Sequence, residues 1–466
     1  MTRSTADAGT ERAGGTGSAP AGTPEAASGG HRDATDDAVA RSGADSDVDV
    51  ERLDEHGRAT GRWRALVLLT AAEALAVSLW FSATAAAPEL AAAWSLTGAQ
   101  TAWLTMAVQV GFVAGAIVSA ALTLSDVVPT RYLFAASAVA GAALTAGLAL
   151  AVDSFLPAVV LRFLVGVSLA GVYPPGMKLI AGWFRDGRGL AIGTMVGGLT
   201  LGSASPHLLR GIGGVGNPRV VLLGAAGLAV LGAGLVLQVR PGPFAAPAAP
   251  FDPGAVRRIL TDRATSLANL GYFGHMWELY AVWTWIPAYL GASLAAREAG
   301  AGLAVGTEPT TLAALLTFAT IAVGGLGAAV AGRYADRLGR SNVTSASMVV
   351  SGAATVAAGV AFGSSLLVLV PFVLVWGFAV VADSAQFSAA VSELTDGEYV
   401  GTALTLQTAV GFLLTVFSIQ LTPVVADAVG WQWAFAPLVI GPLVGTAAML
   451  RLRTRPEAAQ LAGGRG

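Results

Sequence analysis

The feature that most constrains this chain is repetition: after Arg62, apolar runs of about 20 residues recur twelve times. A helix rising about 1.5 Å per residue crosses about 30 Å of hydrocarbon in that length. The runs lie at 64–87, 99–124, 131–152, 155–180, 189–210, 219–239, 266–290, 310–331, 342–362, 365–388, 400–422 and 432–452. Polarity is scarce between them. Only 12% of residues are charged and 54% are hydrophobic, with mean hydropathy +0.65, whereas soluble chains carry about 25% charge. A 466-residue chain cannot build a water-facing surface from so little polarity. The sequence therefore specifies an all-α, multi-pass membrane protein with the lipid bilayer as its solvent. A soluble enzyme and a nucleic-acid binder are excluded.

The net charge of −2 averages two unlike parts. Residues 1–62 hold 12 acids against 7 arginines and lack Phe, Tyr and Trp. Such a segment has too little apolar surface to offset its ordering entropy, so it reads as a disordered tail and not a signal peptide. The chain has no Cys, which removes disulfides and thiolate ligands, and its four histidines are too scattered for a metal site. No cofactor is expected.

Orientation follows from the basic residues that flank the segments. With the amino terminus inside, eighteen of these, from Arg52 to Arg455, fall on inner flanks. Only Arg210, Arg219 and Arg297 fall on outer ones. Both termini are thus expected in the cytoplasm and the spans in the cell membrane. The connection at 240–265 is Pro-rich and then basic, and it reads as a cytoplasmic linker. It divides the chain into six-helix bundles at 63–239 and 266–453, with a short tail at 454–466. The halves also repeat: EALAVSLWFSA at 73–83 aligns with ELYAVWTWIPA at 278–288, pairing Glu73 with Glu278 and Trp80 with Trp285. A weaker match pairs Gly193-Thr194 with Gly401-Thr402.

Segments eight and nine are joined by GRYADRLGRSN, which holds Gly332, Asp336, Arg337, Gly339 and Arg340. This resembles the signature loop of the major facilitator superfamily. Gly332 and Gly339 would supply turn conformations closed to other residues. The loop after segment two keeps Asp126 and Arg131, but Leu122 and Pro129 stand at its glycine positions. Segment four, LRFLVGVSLAGVYPPGMKL, is similar to that family's fourth-helix motif at Arg162 and Gly166. Segment five lacks the Gly-Pro pair of drug–proton antiporters. LWFSATAAAPEL, GVYPPGMKLIAGWF and GYFGHMWELYAVWTWIP resemble a bacterial subgroup grouped loosely with nitrate and cyanate permeases. The resemblance implies two pseudo-symmetric six-helix bundles, alternating access, and a central cavity lined by segments one and seven.

A charge inside hydrocarbon costs at least about 2.5–3.5 kcal/mol and marks a functional residue by default. By helical rise, Glu73 lies about 14 Å above Arg64, Glu278 about 18 Å above Ser266 and Arg162 about 14 Å below Asp153. All three fall near the midplane, where transporters place their sites. The resemblance puts both glutamates on the central cavity, as proton or substrate groups. Arg162 is expected to pair with a glutamate or to meet an anion. His275 shares a helix face with Glu278 and could extend a proton relay. Trp80, Trp277, Tyr280 and Trp285 are the aromatics expected to face the cavity. Asp383 and Gln386 are placed to meet the opposite half at an inner gate.

These residues point to secondary transport of a small solute and not to an enzyme, since the sequence shows no nucleophile–base or metal cluster and no nucleotide-binding loop. A small anion, moved with protons by a monomer, is the expected cargo. Efflux of hydrophobic compounds is the alternative, and a non-transporting sensor is the alternative of another class. Reporters inserted in 240–265 and fused after Gly466 should both register the cytoplasm; activity of either outside the membrane would reverse the orientation.

Overall fold

In hydrocarbon the backbone must satisfy its own polar groups, and the twelve apolar segments all answer as helices. The computed structural model describes residues 59–122, 124–185, 187–245, 254–301, 309–396 and 399–466. The tail expected at 1–62 lies outside these residues except at 59–62, as does 246–253 of the connection between halves. The described residues belong to one compact unit, Asp49–Gly466.

Spans two, three and six are Gly98–Ala121, Thr130–Ala151 and Pro218–Val236. Spans eight, nine and eleven are Pro309–Leu338, Arg340–Ala361 and Val400–Val429. Span five, Arg188–Leu209, runs into a π-helical turn at Arg210–Gly214. Span twelve enters through two short turns and ends as Ile440–Arg453. Three spans are broken. Span one stops at Val77, turns through Ser78–Phe81, and resumes as Ser82–Ala85 and Ala87–Trp94. Span four breaks between Leu169 and Tyr173, just before Pro174-Pro175, and span ten breaks at Asp383 between Leu366–Ala382 and Ser384–Leu394.

Nine helices among the described residues are long and apolar enough to cross a membrane. Spans one, five and seven are the other three. The first is interrupted, the fifth is rich in Gly, Ser and Thr, and the seventh carries His275 and Glu278. Span seven, Arg263–Ala301, also runs well past the expected end near residue 290, because ASLAAREAGA favours helix beyond the apolar stretch.

Spans one to six and seven to twelve form two bundles that meet along two seams, two against eleven and five against eight. Twelve crossings bring Arg62 and Arg453 to one face, here termed the basic face; the opposite one is the far face. Each bundle contains the same tight crossing. A Cβ on Gly166 of span four would lie 2.0 Å from the Val108 carbonyl oxygen of span two. In the other half, a Cβ on Gly377 of span ten would lie 1.8 Å from the Thr320 oxygen of span eight. Only glycine admits such an approach. Large apolar residues such as Val360, Leu367 and Phe417 are exposed on the outside, as lipid contact requires.

Gly166→Leu should prise spans two and four apart, at a cost of about 1–3 kcal/mol or more. Fluorescence-detected size-exclusion of the variant should show aggregated or lost protein; a monodisperse peak with unchanged melting temperature would contradict the crossing.

Candidate functional site

The break in span one leaves carbonyls without helical partners, and a single side chain gathers them. Arg162, fully buried on span four, donates Nε to the Leu104 oxygen at 3.0 Å. It donates Nη1 to the Leu79 oxygen at 2.9 Å and to Ser82 Oγ at 3.2 Å, and Nη2 to the Trp80 oxygen. The planar guanidinium suits this task because it presents five donors in a fixed fork. The expected glutamate partner is therefore corrected: among the described residues neither Glu73 nor Glu278 reaches Arg162, and its donors go to three carbonyls and the Ser82 hydroxyl.

The two glutamates do occupy matched places, but inside their own bundles and not on the cavity between them. Glu73 is buried, and neither carboxylate oxygen has a hydrogen-bond partner among the described residues. It abuts span four at Gly176, where a Cβ would come within 2.5 Å of Oε2. Phe134 of span three and Met195 of span five converge on the same glycine. Glu278 accepts from Ser351 Oγ of span nine at 2.8 Å and from Trp376 Nε1 of span ten at 3.2 Å. One turn away, His275 Nδ1 stands 2.8 Å from Asp383 Oδ1, with both side chains 2% exposed. Asp383 thus meets its own half, at the break in span ten, and not the opposite half. Gln386 is likewise engaged within its half, accepting from Arg340 Nη1 at 2.7 Å.

Between the halves lies an aromatic cluster. Trp80 stands 5.0 Å from Phe112, 5.3 Å from Phe412 and 6.0 Å from Tyr280, centroid to centroid. Phe81 packs on Trp283 at 5.7 Å and Tyr280 on Phe412 at 5.0 Å. Trp80 and Tyr280, expected to face the cavity, pack within this cluster and are not among the residues that line the cavity. Phe112 and Phe412, on spans two and eleven, carried no sequence signal beyond their apolarity. Gln109 was a detectable hint, as an amide in the middle of span two; it accepts a hydrogen bond from Thr415 across the same seam. Trp277 is corrected: it packs on Gly441 of span twelve, away from the interface. Trp285 donates Nε1 to the Ile419 oxygen at 2.8 Å and lines a cavity.

That cavity, about 490 Å³, lies between the halves on the far-face side of the aromatic cluster. Thr84, Thr105, Thr284 and Trp285 are its deep residues, and the exposed Pro88, Ala295 and Thr310 form its rim. It therefore opens to the far face. Its one charged lining residue, Arg210, pairs with Glu89 through Nη2 at 2.9 Å.

On the basic face, the signature sequence is mostly helix. Gly332, Asp336 and Arg337 all lie in span eight, so Gly332 needs no special conformation; the turn falls on Gly339, with φ of 89°. Asp336 faces the start of span five, where a Cβ on Gly189 would lie 3.6 Å from Oδ2. Arg340 clamps Glu393 with bonds of 2.6 and 2.8 Å. Arg337 is exposed. In the first half, Arg131 donates to the neighbouring Tyr132 hydroxyl at 3.0 Å, and the Asp126 side chain lies outside the described residues.

The chain matches the family model of the Major Facilitator Superfamily twice, over residues 66–306 and 268–466. It belongs to that superfamily, and it is a multi-pass membrane transport protein, not an enzyme. Among solved structures it is similar to a mutant form of the nucleoside transporter NupG, with TM-score 0.64 and 14% identity, over 83% of this chain and 99% of that one. It is also similar to a bacterial homologue of the human lysosomal transporter Spinster in an inward-facing, occupied conformation, with TM-score 0.64 and 14% identity, over 85% and 98%. At that identity the likeness is one of fold. No curated protein matches the chain.

Arg162→Met should leave carbonyls at the break unsatisfied and destabilise the protein by about 1–3 kcal/mol. Thermal unfolding in detergent should register this. An unchanged melting temperature with weaker solute affinity alone would instead assign Arg162 to solute.

Proposed function

We propose that the chain is a proton-coupled secondary transporter of a small solute, working by alternating access between its two bundles. The observation that carries this reading is the matched pair of glutamates, each sealed in its own bundle against a broken helix. Glu73 lies against span four below its break, and Glu278 against span ten near Asp383. An ionised carboxylate enclosed without partners is costly. Glu73 is therefore read as holding a proton in this state and releasing it when span four moves. The His275–Asp383 pair, three residues along span seven from Glu278, extends the polar path towards the basic face.

In this reading the far-face cavity is the open vestibule, the aromatic cluster is its closed floor, and the basic face is cytoplasmic. The five–eight and two–eleven seams act as the surfaces on which the bundles rock. The transporter is taken to work as a monomer in the cell membrane.

In proteoliposomes with an internal pH dye, solute-driven proton movement should fall about 100-fold in Glu73→Gln, as expected for loss of a proton-transfer group. Solute exchange without a pH gradient should persist. A full pH response in both Glu278→Gln and Glu73→Gln would overturn the coupling role.

A further inference from the structure

The far-face cavity constrains its occupant more closely than the fold does. We infer that it binds an uncharged organic molecule with a flat apolar ring and one or two hydrogen-bonding groups, and not a small inorganic anion. The assignment rests on the transport reading above for its place in the cycle, but its chemistry comes from the walls.

Size is the first constraint. At about 490 Å³ the cavity is in the range of sites that enclose drug-sized ligands, roughly 300–1,000 Å³. An ion of three or four atoms would touch only a fraction of its wall.

Charge is the second. Arg210 is the one charged lining residue, and its Nε and Nη2 already donate to Glu89 Oε1, at 3.2 and 2.9 Å. The Gly216 amide donates to the same oxygen at 3.2 Å, so the pair is anchored to backbone. An anion would have to compete with Glu89 for that guanidinium, and a cation finds no carboxylate in the wall. A charged ligand would thus lose its hydration without a free counter-charge. An uncharged one does not meet that cost.

The arrangement of polar groups is the third constraint. Alanines and prolines make up much of the upper wall, while the floor holds buried hydroxyls. Thr84 and Thr105 share one hydrogen bond at 2.6 Å, which uses one of their two protons and leaves the other O–H for a ligand acceptor. Thr284 spends its proton on the Tyr280 carbonyl at 2.6 Å, so its oxygen is left as an acceptor. Trp285 spends its indole N–H on Ile419 and is flanked by Trp431 at 5.6 Å, which leaves a ring surface as its contribution. One donor, one acceptor and an aromatic platform at the base of an apolar shaft match an amphipathic molecule entering polar end first.

The test uses the full chain in lipid nanodiscs and three probes: naphthaleneethanol, naphthaleneacetate and nitrate. Saturable binding, measured by equilibrium dialysis against empty nanodiscs, should favour naphthaleneethanol over naphthaleneacetate by about ten-fold or more, with no competition from nitrate. Ala288→Trp, which fills the cavity, should abolish that binding, and the milder Ala288→Ser should retain it with an unchanged elution profile. The Thr84→Val, Thr105→Val double variant should bind about five-fold more weakly. Preference for either anion, absence of saturable naphthaleneethanol binding, or binding that survives in folded Ala288→Trp would overturn the assignment. Counterflow in proteoliposomes separates the two readings. Binding without flux would sink alternating access and leave the cavity's chemistry standing, whereas flux of nitrate alone would do the reverse.

Discussion

The interaction on which the rest of the structure depends is the grip of Arg162 on the unwound turn of span one. A membrane interior offers no water to carbonyls that lose their helical partners, so a broken helix survives only where protein supplies the donors. Arg162 supplies them to Leu79, Trp80 and, from the neighbouring span, Leu104. The arginine and the break explain each other. Its charge is spread over three carbonyl dipoles and the Ser82 hydroxyl, and the turn is held in a shape that a continuous helix could not give. That shape sets Trp80 and Phe81 side by side into the seam between bundles, where they meet Tyr280, Trp283 and Phe412.

Glycine does for the bundles what Arg162 does for the break. Gly166 and Gly377 bring spans two and four, and eight and ten, to backbone contact within each half. Gly197 and Gly325 do the same across the halves on the five–eight seam, where a Cβ on either would fall within 3.4 Å of the other's carbonyl oxygen. Tight crossings without interlocking side chains make each bundle stiff and the seam between them smooth. Bundles that move as bodies need both properties.

The architecture was legible in the sequence because hydrocarbon thickness, loop charge and internal repetition are each written directly in residue order. The shared face of His275 and Glu278 was legible too, since both turn towards span ten. Helical periodicity says which residues share a face, however, and not which neighbour that face meets. Glu73 and Glu278 were consequently expected on the cavity, whereas they point into their bundles. The break in span one left no trace because SLWF contains neither Gly nor Pro; its cause sits more than eighty residues away in Arg162. Phe112 and Phe412 were equally hidden, as apolar residues in apolar helices. Gly332 was read as a turn former, yet the helix simply continued through it to Leu338, and Gly339 alone made the turn.

The positions of the breaks bear on the proposed coupling. Spans four and ten are related by the pseudo-symmetry, and each is interrupted beside the glutamate of its own bundle. The environments differ: Glu278 has two donors and a histidine–aspartate pair nearby, while Glu73 has no partner among the described residues. In the proposed cycle the partnered carboxyl keeps its place, and the unpartnered one is the more sensitive to any shift of its broken neighbour. Because Glu73 precedes the turn that Arg162 holds and Trp80 lies within it, a displacement of span four acts on both at once. Arg162 itself belongs to span four. In the proposed coupling, the carboxyl of Glu73 and the aromatic floor of the cavity are tied to one helix, and that shared attachment is the physical route by which a proton at the carboxyl would be felt by a solute above the floor.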